Sequence, residues 1–216
     1  MEVALLEHLI KQCHGYLIRH ISEANIAEAE KEYRIEHSIR VANIGKYLAE
    51  RENADIKIVV ISCLLHDVGK FYTEDVMEHG RVSASVARSF LKGISLSQKE
   101  IDDICFAIAV HVDGKCGYDY EETLESKIVR DSDNLDRFGA YRIYLTMAWD
   151  KESTEGTIEE RIKAVQRKKN YRLKLKDEVN LKTKTANEIW KDYLEFQIDF
   201  FERYLEELEI TTLTKL

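Results

Sequence analysis

Not one proline interrupts the 216 residues of this chain, and glycine occurs only 9 times. At the average usage of about 5%, roughly 11 prolines belong in a chain of this length. Proline breaks helices because it has no N–H, and glycine builds turns. A chain this poor in both is expected to be mostly helix, joined by short polar loops. A β-sandwich needs many turn residues and is disfavoured; collagen-like and proline-rich or glycine-rich disordered classes are excluded. The expected fold class is all-α, a helical bundle.

Hydrophobic residues at 44% and charged residues at 33% give a normal globular balance, enough to bury a core. No apolar run approaches the ~18 residues of a membrane span. The start, Met1-Glu2-Val3-Ala4-Leu5-Leu6-Glu7, lacks the basic start and apolar block of a signal peptide, so a cytoplasmic protein is expected. With 32 Lys and Arg against 40 Asp and Glu, the net charge is −8. That argues against a dedicated nucleic-acid binder while leaving room for a local basic site. Cys13, Cys63, Cys105 and Cys116 show no CxxC spacing and read as buried reduced thiols rather than a metal or redox site.

The first helix is expected over about Glu2 to Glu30. His8, His14 and His20 lie along it at spacings of six, which turn a helix by about 240°, so they read as unrelated surface or edge histidines. A second helix, about Tyr33 to Asn53, carries the stripe His37, Val41, Ile44, Leu48. A third follows the N-cap Asp55 to about Gly69, and its apolar stripes close on His66 and Asp67. The fourth runs from His79-Gly80 to Gly93. The fifth opens on a Ser97–Glu100 capping box and ends at His111. The sixth is expected over about Glu121 to Trp149. After a polar linker, Thr157–Glu160 suggests another capping box before a basic stretch, Arg161 to Lys184. The last helix opens near Thr185 with Ile189, Tyr193, Phe196, Phe200, Tyr204 and Leu208 as its apolar face.

Polar groups that close buried stripes need partners, since unpaired burial is costly. His37, His66, Asp67, His79, His111 and an aspartate near Asp133 come from separate helices. Imidazoles and carboxylates are the usual ligands of a hydrolytic divalent metal. By helical phase, Asp131 lies nearer the stripe Leu124, Ile128, Leu135, Phe138 than Asp133 does. Lys70 lies three residues past Asp67, where a lysine can complement the helix dipole.

His37 in Glu36-His37-Ser38-Ile39-Arg40-Val41, then Leu64-Leu65-His66-Asp67-Val68-Gly69-Lys70, then Arg130-Asp131-Ser132-Asp133-Asn134-Leu135-Asp136, resembles the HD-domain metal phosphohydrolases. The resemblance covers about Glu32 to Met147. It extends to a bacterial subfamily that includes nucleoside triphosphate pyrophosphohydrolases. It implies a single domain over 1–216, with the HD core at about 32–147, an N-terminal helix at 2–30 and a C-terminal helical extension at 157–209. The extension would be a basic helix and an amphipathic helix docked on the bundle.

The resemblance makes His37, His66, Asp67 and Asp133 the metal ligands. The family pattern of aspartate, any residue, leucine selects Asp133 over Asp131. His79 and His111 are then ligands of a second metal or lining of the pocket. Asp67 and Lys70 are the expected catalytic residues, and Arg40, Lys70, His79, His111 and Lys176 the candidates for touching substrate. The ion would be Mn, Fe, Co, Ni or Zn, with Mg as an option. It would offset phosphate charge and activate water against a phosphate ester or anhydride of a small nucleotide, such as a (d)NTP giving (d)NMP and pyrophosphate. Two alternatives stay open: a nucleotide-sensing HD module without hydrolysis, and a nucleic-acid binder acting through 161–184. Phe71, Tyr72, Tyr118 and Tyr120 are loop aromatics suited either to a base or to packing. The oligomeric state is left open.

Overall fold

The computed structural model describes residues 2–117, 119–151 and 155–211, and among them there are helices and no strand. In chain order the α-helices are α1 (Glu2–Ser22), α2 (Glu28–Glu52), α3 (Ile56–Leu65), α4 (His79–Leu91), α5 (Gln98–Val110), α6 (Leu124–Asp136), α7 (Ala140–Trp149), α8 (Ile158–Glu178) and α9 (Lys184–Ile210), with a 3₁₀ turn at Lys70–Tyr72. The protein is all-α. No described helix is long and apolar enough to cross a membrane. Tyr118 lies outside the described residues.

The chain forms two compact units, Met1–Asp136 and Arg137–Leu216. The first is built around α3. Its sequence, Ile-Lys-Ile-Val-Val-Ile-Ser-Cys-Leu-Leu, has no polar face, and every residue from Ile58 to Leu65 is buried. A helix apolar on all sides must be surrounded. Accordingly α1, α2, α5 and α6 all pack against α3. Asp55 starts it, its side chain accepting from the Lys57 and Ile58 N–H groups.

Two glycines let neighbouring segments come close. A Cβ on Gly69 would lie 2.2 Å from the Ser83 nitrogen, so the loop after α3 rests directly on the α4 backbone. The Gly69 N–H donates to Ser83 Oγ at 2.9 Å there. A Cβ on Gly80 would lie 2.7 Å from the Ala109 carbonyl oxygen, so the start of α4 rests on the end of α5. Residues at those two ends, His79 and His111, are thereby brought side by side.

The expected first helix ends early. α1 stops at Ser22 and α2 starts at Glu28, and Lys31 Nζ reaches back to the Ser22 carbonyl (2.9 Å) at the end of α1. The expected sixth helix is likewise two. It breaks between Asp136 and Ala140, with extended Gly139 as the N-cap of α7. Gln197 Nε2 donates to the Phe138 carbonyl freed by the break.

In the second unit α9 packs on α8 and α7. The capping box at Thr157 and Glu160 is present. The buried face of α9 differs from the expected stripe: it is Trp190, Leu194, Gln197, Phe201, Leu205 and Leu208. Ile189, Tyr193, Phe200 and Tyr204 flank it half-buried, and Phe196 is exposed. Two apolar stripes lie one residue apart there, and packing chooses between them. Cations of the basic stretch pair with acids of the same unit: Lys169 with Glu202 at 3.1 Å, Lys174 with Glu178 at 3.7 Å, and Lys176 with Glu195 at 2.9 Å.

Candidate metal centre

Five segments of the first unit deliver the polar residues. His37 is in the first half of α2. His66 and Asp67 follow the last residue of α3, His79 opens α4, His111 caps α5, and Asp133 and Asp136 end α6. His37, His66, Asp67, His79 and His111 are all buried, while the Asp133 side chain keeps a 20% exposed edge.

Each histidine has its Nδ1 tied back to the fold. Nδ1 of His66 donates to the Cys63 carbonyl (2.7 Å), that of His79 to Val76 (2.5 Å) and that of His111 to Ile108 (2.6 Å). Nδ1 of His37 donates to Asp136 Oδ2 at 2.7 Å. Once Nδ1 donates, the Nε2 of a neutral imidazole is a bare acceptor. Those Nε2 atoms face one another in pairs, His37 against His66 and His79 against His111, each at 3.2 Å.

Two facing acceptors repel unless a proton or a cation lies between them. Two nitrogens bound to one ion at about 2.0–2.1 Å sit about 2.8–3.4 Å apart for angles from 90° to tetrahedral. The observed spacing falls inside that range, so the donor set fits a divalent transition metal.

Carboxylates complete both pairs. Asp133 Oδ1 lies 3.3 Å from His37 Nε2 and 3.7 Å from His66 Nε2. Asp67 stands between the pairs. Its Oδ2 is 3.9 Å from His37 Nε2 and 3.8 Å from His66 Nε2. Its Oδ1 is 3.2 Å from His79 Nε2 and 4.0 Å from His111 Nε2. His37, His66 and Asp133 form one group with metal-ligand spacing, and His66, Asp67 and His111 a second.

The electrostatics agree with a cation-seeking site. Burial pushes the imidazolium forms of His66 and His111 down, the latter to about 4, which keeps their nitrogen lone pairs free. Burial also opposes charge on His37, but Asp133 and Asp136 outweigh it and raise its pKa to about 9. Burial would raise the carboxyls of Asp67 and Asp133; the facing histidines, and Lys70 at Asp67, hold both well below the usual range. Without a metal, these acids draw a proton onto His37 instead.

Lys70 Nζ is 3.2 Å from Asp67 Oδ2 and its side chain is about one-third exposed. Arg40 contacts the carboxylate behind His37. It holds Asp136 through Nε–Oδ1 (2.7 Å) and Nη2–Oδ2 (3.2 Å). The structure thus brings together His37, His66, Asp67, Lys70, His79, His111 and Asp133. Lys176 belongs to the second unit. Asp131 is buried in the core, as its helical phase indicated, and Asp133 sits at the accessible edge.

Residues 34–137 match the family model described as HD domain. This segment is an HD domain. Metal-dependent phosphohydrolysis is the chemistry of HD-domain enzymes, and the chain shares their fold. The chain is 29% identical over 166 residues to the uncharacterized protein YpgQ of Bacillus subtilis, covering 76% of this chain and 78% of that protein. An HD-superfamily hydrolase from Bacillus thuringiensis superposes with a TM-score of 0.69 at 20% identity, over 94% of this chain and 98% of that one. The structure of Bacillus subtilis YpgQ in complex with ADP superposes with a TM-score of 0.60 at 18% identity, covering 96% and 97%. At these identities the structural matches establish the shared fold.

Three residues at this HD domain were not assigned roles from sequence. Asp136 lay within the quoted run but no pattern marked it as the partner of His37. Arg34, one turn before His37, has its Nη1 3.6 Å from Asp67 Oδ2. His20, expected to be unrelated, donates from Nε2 to the carbonyl of Val68, next to Asp67, at 2.8 Å.

Proposed function

We propose that this HD domain is a metal-dependent phosphohydrolase of small nucleotides, with cleavage of a (deoxy)nucleoside triphosphate to the monophosphate and pyrophosphate as its leading reaction. The observation that carries it is the pair of facing Nε2 couples with Asp67 between them. His37, His66 and Asp133, with Asp67 Oδ2, would hold one divalent ion; His79 and His111, with Asp67 Oδ1, would hold a second. Imidazole-rich donors favour manganese, iron, cobalt, nickel or zinc over magnesium. Ions held there would supply charge neutralisation for phosphate oxygens and a lowered pKa for water.

The protein's own groups do the rest. Asp133 offers the exposed edge through which water and substrate enter. Lys70 can swing from Asp67 onto a phosphate oxygen and offset charge on the leaving group. Asp136, braced by Arg40, fixes the His37 tautomer and ring angle. A nucleotide is supported by the relative YpgQ, whose structure was obtained with ADP. The cytoplasm is the working compartment that the free, buried thiols of Cys13, Cys63 and Cys105 favour.

The test is purified protein with added Mn²⁺ or Co²⁺ and a nucleotide panel. Release of pyrophosphate identifies triphosphate cleavage; orthophosphate alone identifies a phosphatase. Binding of nucleotide without any product would instead favour a sensor. Absence of metal-dependent turnover, with Asp67→Ala behaving as the wild type, removes hydrolysis.

A further inference from the structure

Resting on that function, we propose that Arg34 is a phosphate-contacting residue, which forms with Lys70 a two-cation clamp on the substrate's phosphates. Both side chains flank the same oxygen. Asp67 Oδ2 lies 3.6 Å from Arg34 Nη1 and 3.2 Å from Lys70 Nζ. Arg34 is one helical turn before His37 on α2, and residues three apart share a helix face. Lys70 reaches in from the 3₁₀ turn after α3.

Local charge favours an anion once metal binds. Asp67 and Asp133 contribute two negative charges; Asp136 and Arg40 cancel one another. A divalent ion offsets the two carboxylates and leaves Arg34 and Lys70 in surplus. The pairing of Arg34 with Glu30 at 3.1 Å, on a carboxylate 43% exposed, offsets this surplus only weakly. The metal would also compete for the Asp67 oxygen that both cations now face.

Arg34 also has donor capacity to spare. Its Nε is buried and meets no hydrogen-bond acceptor. Its side chain is 19% exposed, so it is not sealed off from solvent. A planar guanidinium matches two phosphate oxygens at once, which an ammonium cannot do.

The experiment compares wild type, Arg34→Gln and Arg34→Lys, each loaded with Mn²⁺, by calorimetric titration with inorganic pyrophosphate. Elemental analysis gives the metal content of each. The glutamine variant should keep wild-type metal content and lose about ten- to hundredfold in pyrophosphate affinity, as expected for a charged hydrogen-bond pair. The lysine variant should fall between. In turnover assays the loss should appear mainly in KM.

Wild-type affinity in both variants would overturn the proposal. So would loss of metal from the glutamine variant, which would make Arg34 a support for Asp67, and so would a loaded wild type that ignores pyrophosphate. Tight pyrophosphate binding by wild type without turnover of any nucleotide would remove hydrolysis and leave the clamp standing.

Discussion

His37 faces two ways: its Nε2 looks into the centre while its Nδ1 is held by Asp136 at 2.7 Å. Replacing Asp136 with asparagine keeps the shape but weakens that hold. Loss of such a supporting carboxylate typically costs 10- to 100-fold in metal affinity, and we expect that range here in a Mn²⁺ titration. Metal binding should also depend on pH with a fixed sign. His37 titrates near 9 without metal, so below that value an ion must displace its proton. Apparent Mn²⁺ affinity should therefore rise by about tenfold per pH unit between 6.5 and 8.5. A flat profile over that range would contradict the part assigned to His37. The types and order of the proposed ligands were legible in the sequence from apolar stripes that His37, His66, Asp67 and His111 begin or close, and for Asp133 from the resemblance alone. Asp136 and Arg34 were not, since their roles depend on where α2 meets α6 and the loop after α3, far apart along the chain.

At the scale of elements, α3 fixes the centre because it is enclosed on all sides and its C-terminal end must therefore stop in one place. The Gly69 contact with α4 and the His20 hydrogen bond to Val68 then hold the turn carrying His66 and Asp67. Gly69→Ala would push a methyl into the Ser83 backbone and should lower stability by about 1–3 kcal/mol in urea unfolding. His20→Ala should cost about 1 kcal/mol and also weaken metal binding, because the loop behind Asp67 loosens. Unchanged Mn²⁺ affinity in that variant would make His20 a packing residue alone. Helix starts were easy to read where a side chain writes them, as at Asp55, Ser97 and Thr157. The break after Ser22 and the face of α9 were hidden, because the Lys31 contact with Ser22 and the packing of Trp190 and Phe201 are tertiary events.

At the scale of the whole molecule, the missing prolines fit a scaffold that brings the proposed ligands from five helical segments together, where a kink would misplace one of them. All of the proposed ligands, with Asp136, Arg40, Arg34 and Lys70, lie in the first compact unit. A chain ending after Gly139 should consequently fold and take up Mn²⁺, checked by circular dichroism and elemental analysis. The measurement that bears most directly on the central claim is product analysis of a deoxynucleoside triphosphate mixture, incubated with the full-length protein and Mn²⁺. Monophosphate and pyrophosphate should form in equal amounts, and both should vanish with a chelator or with Asp67→Ala. Intact triphosphates after incubation with a protein shown to carry Mn²⁺ would contradict it.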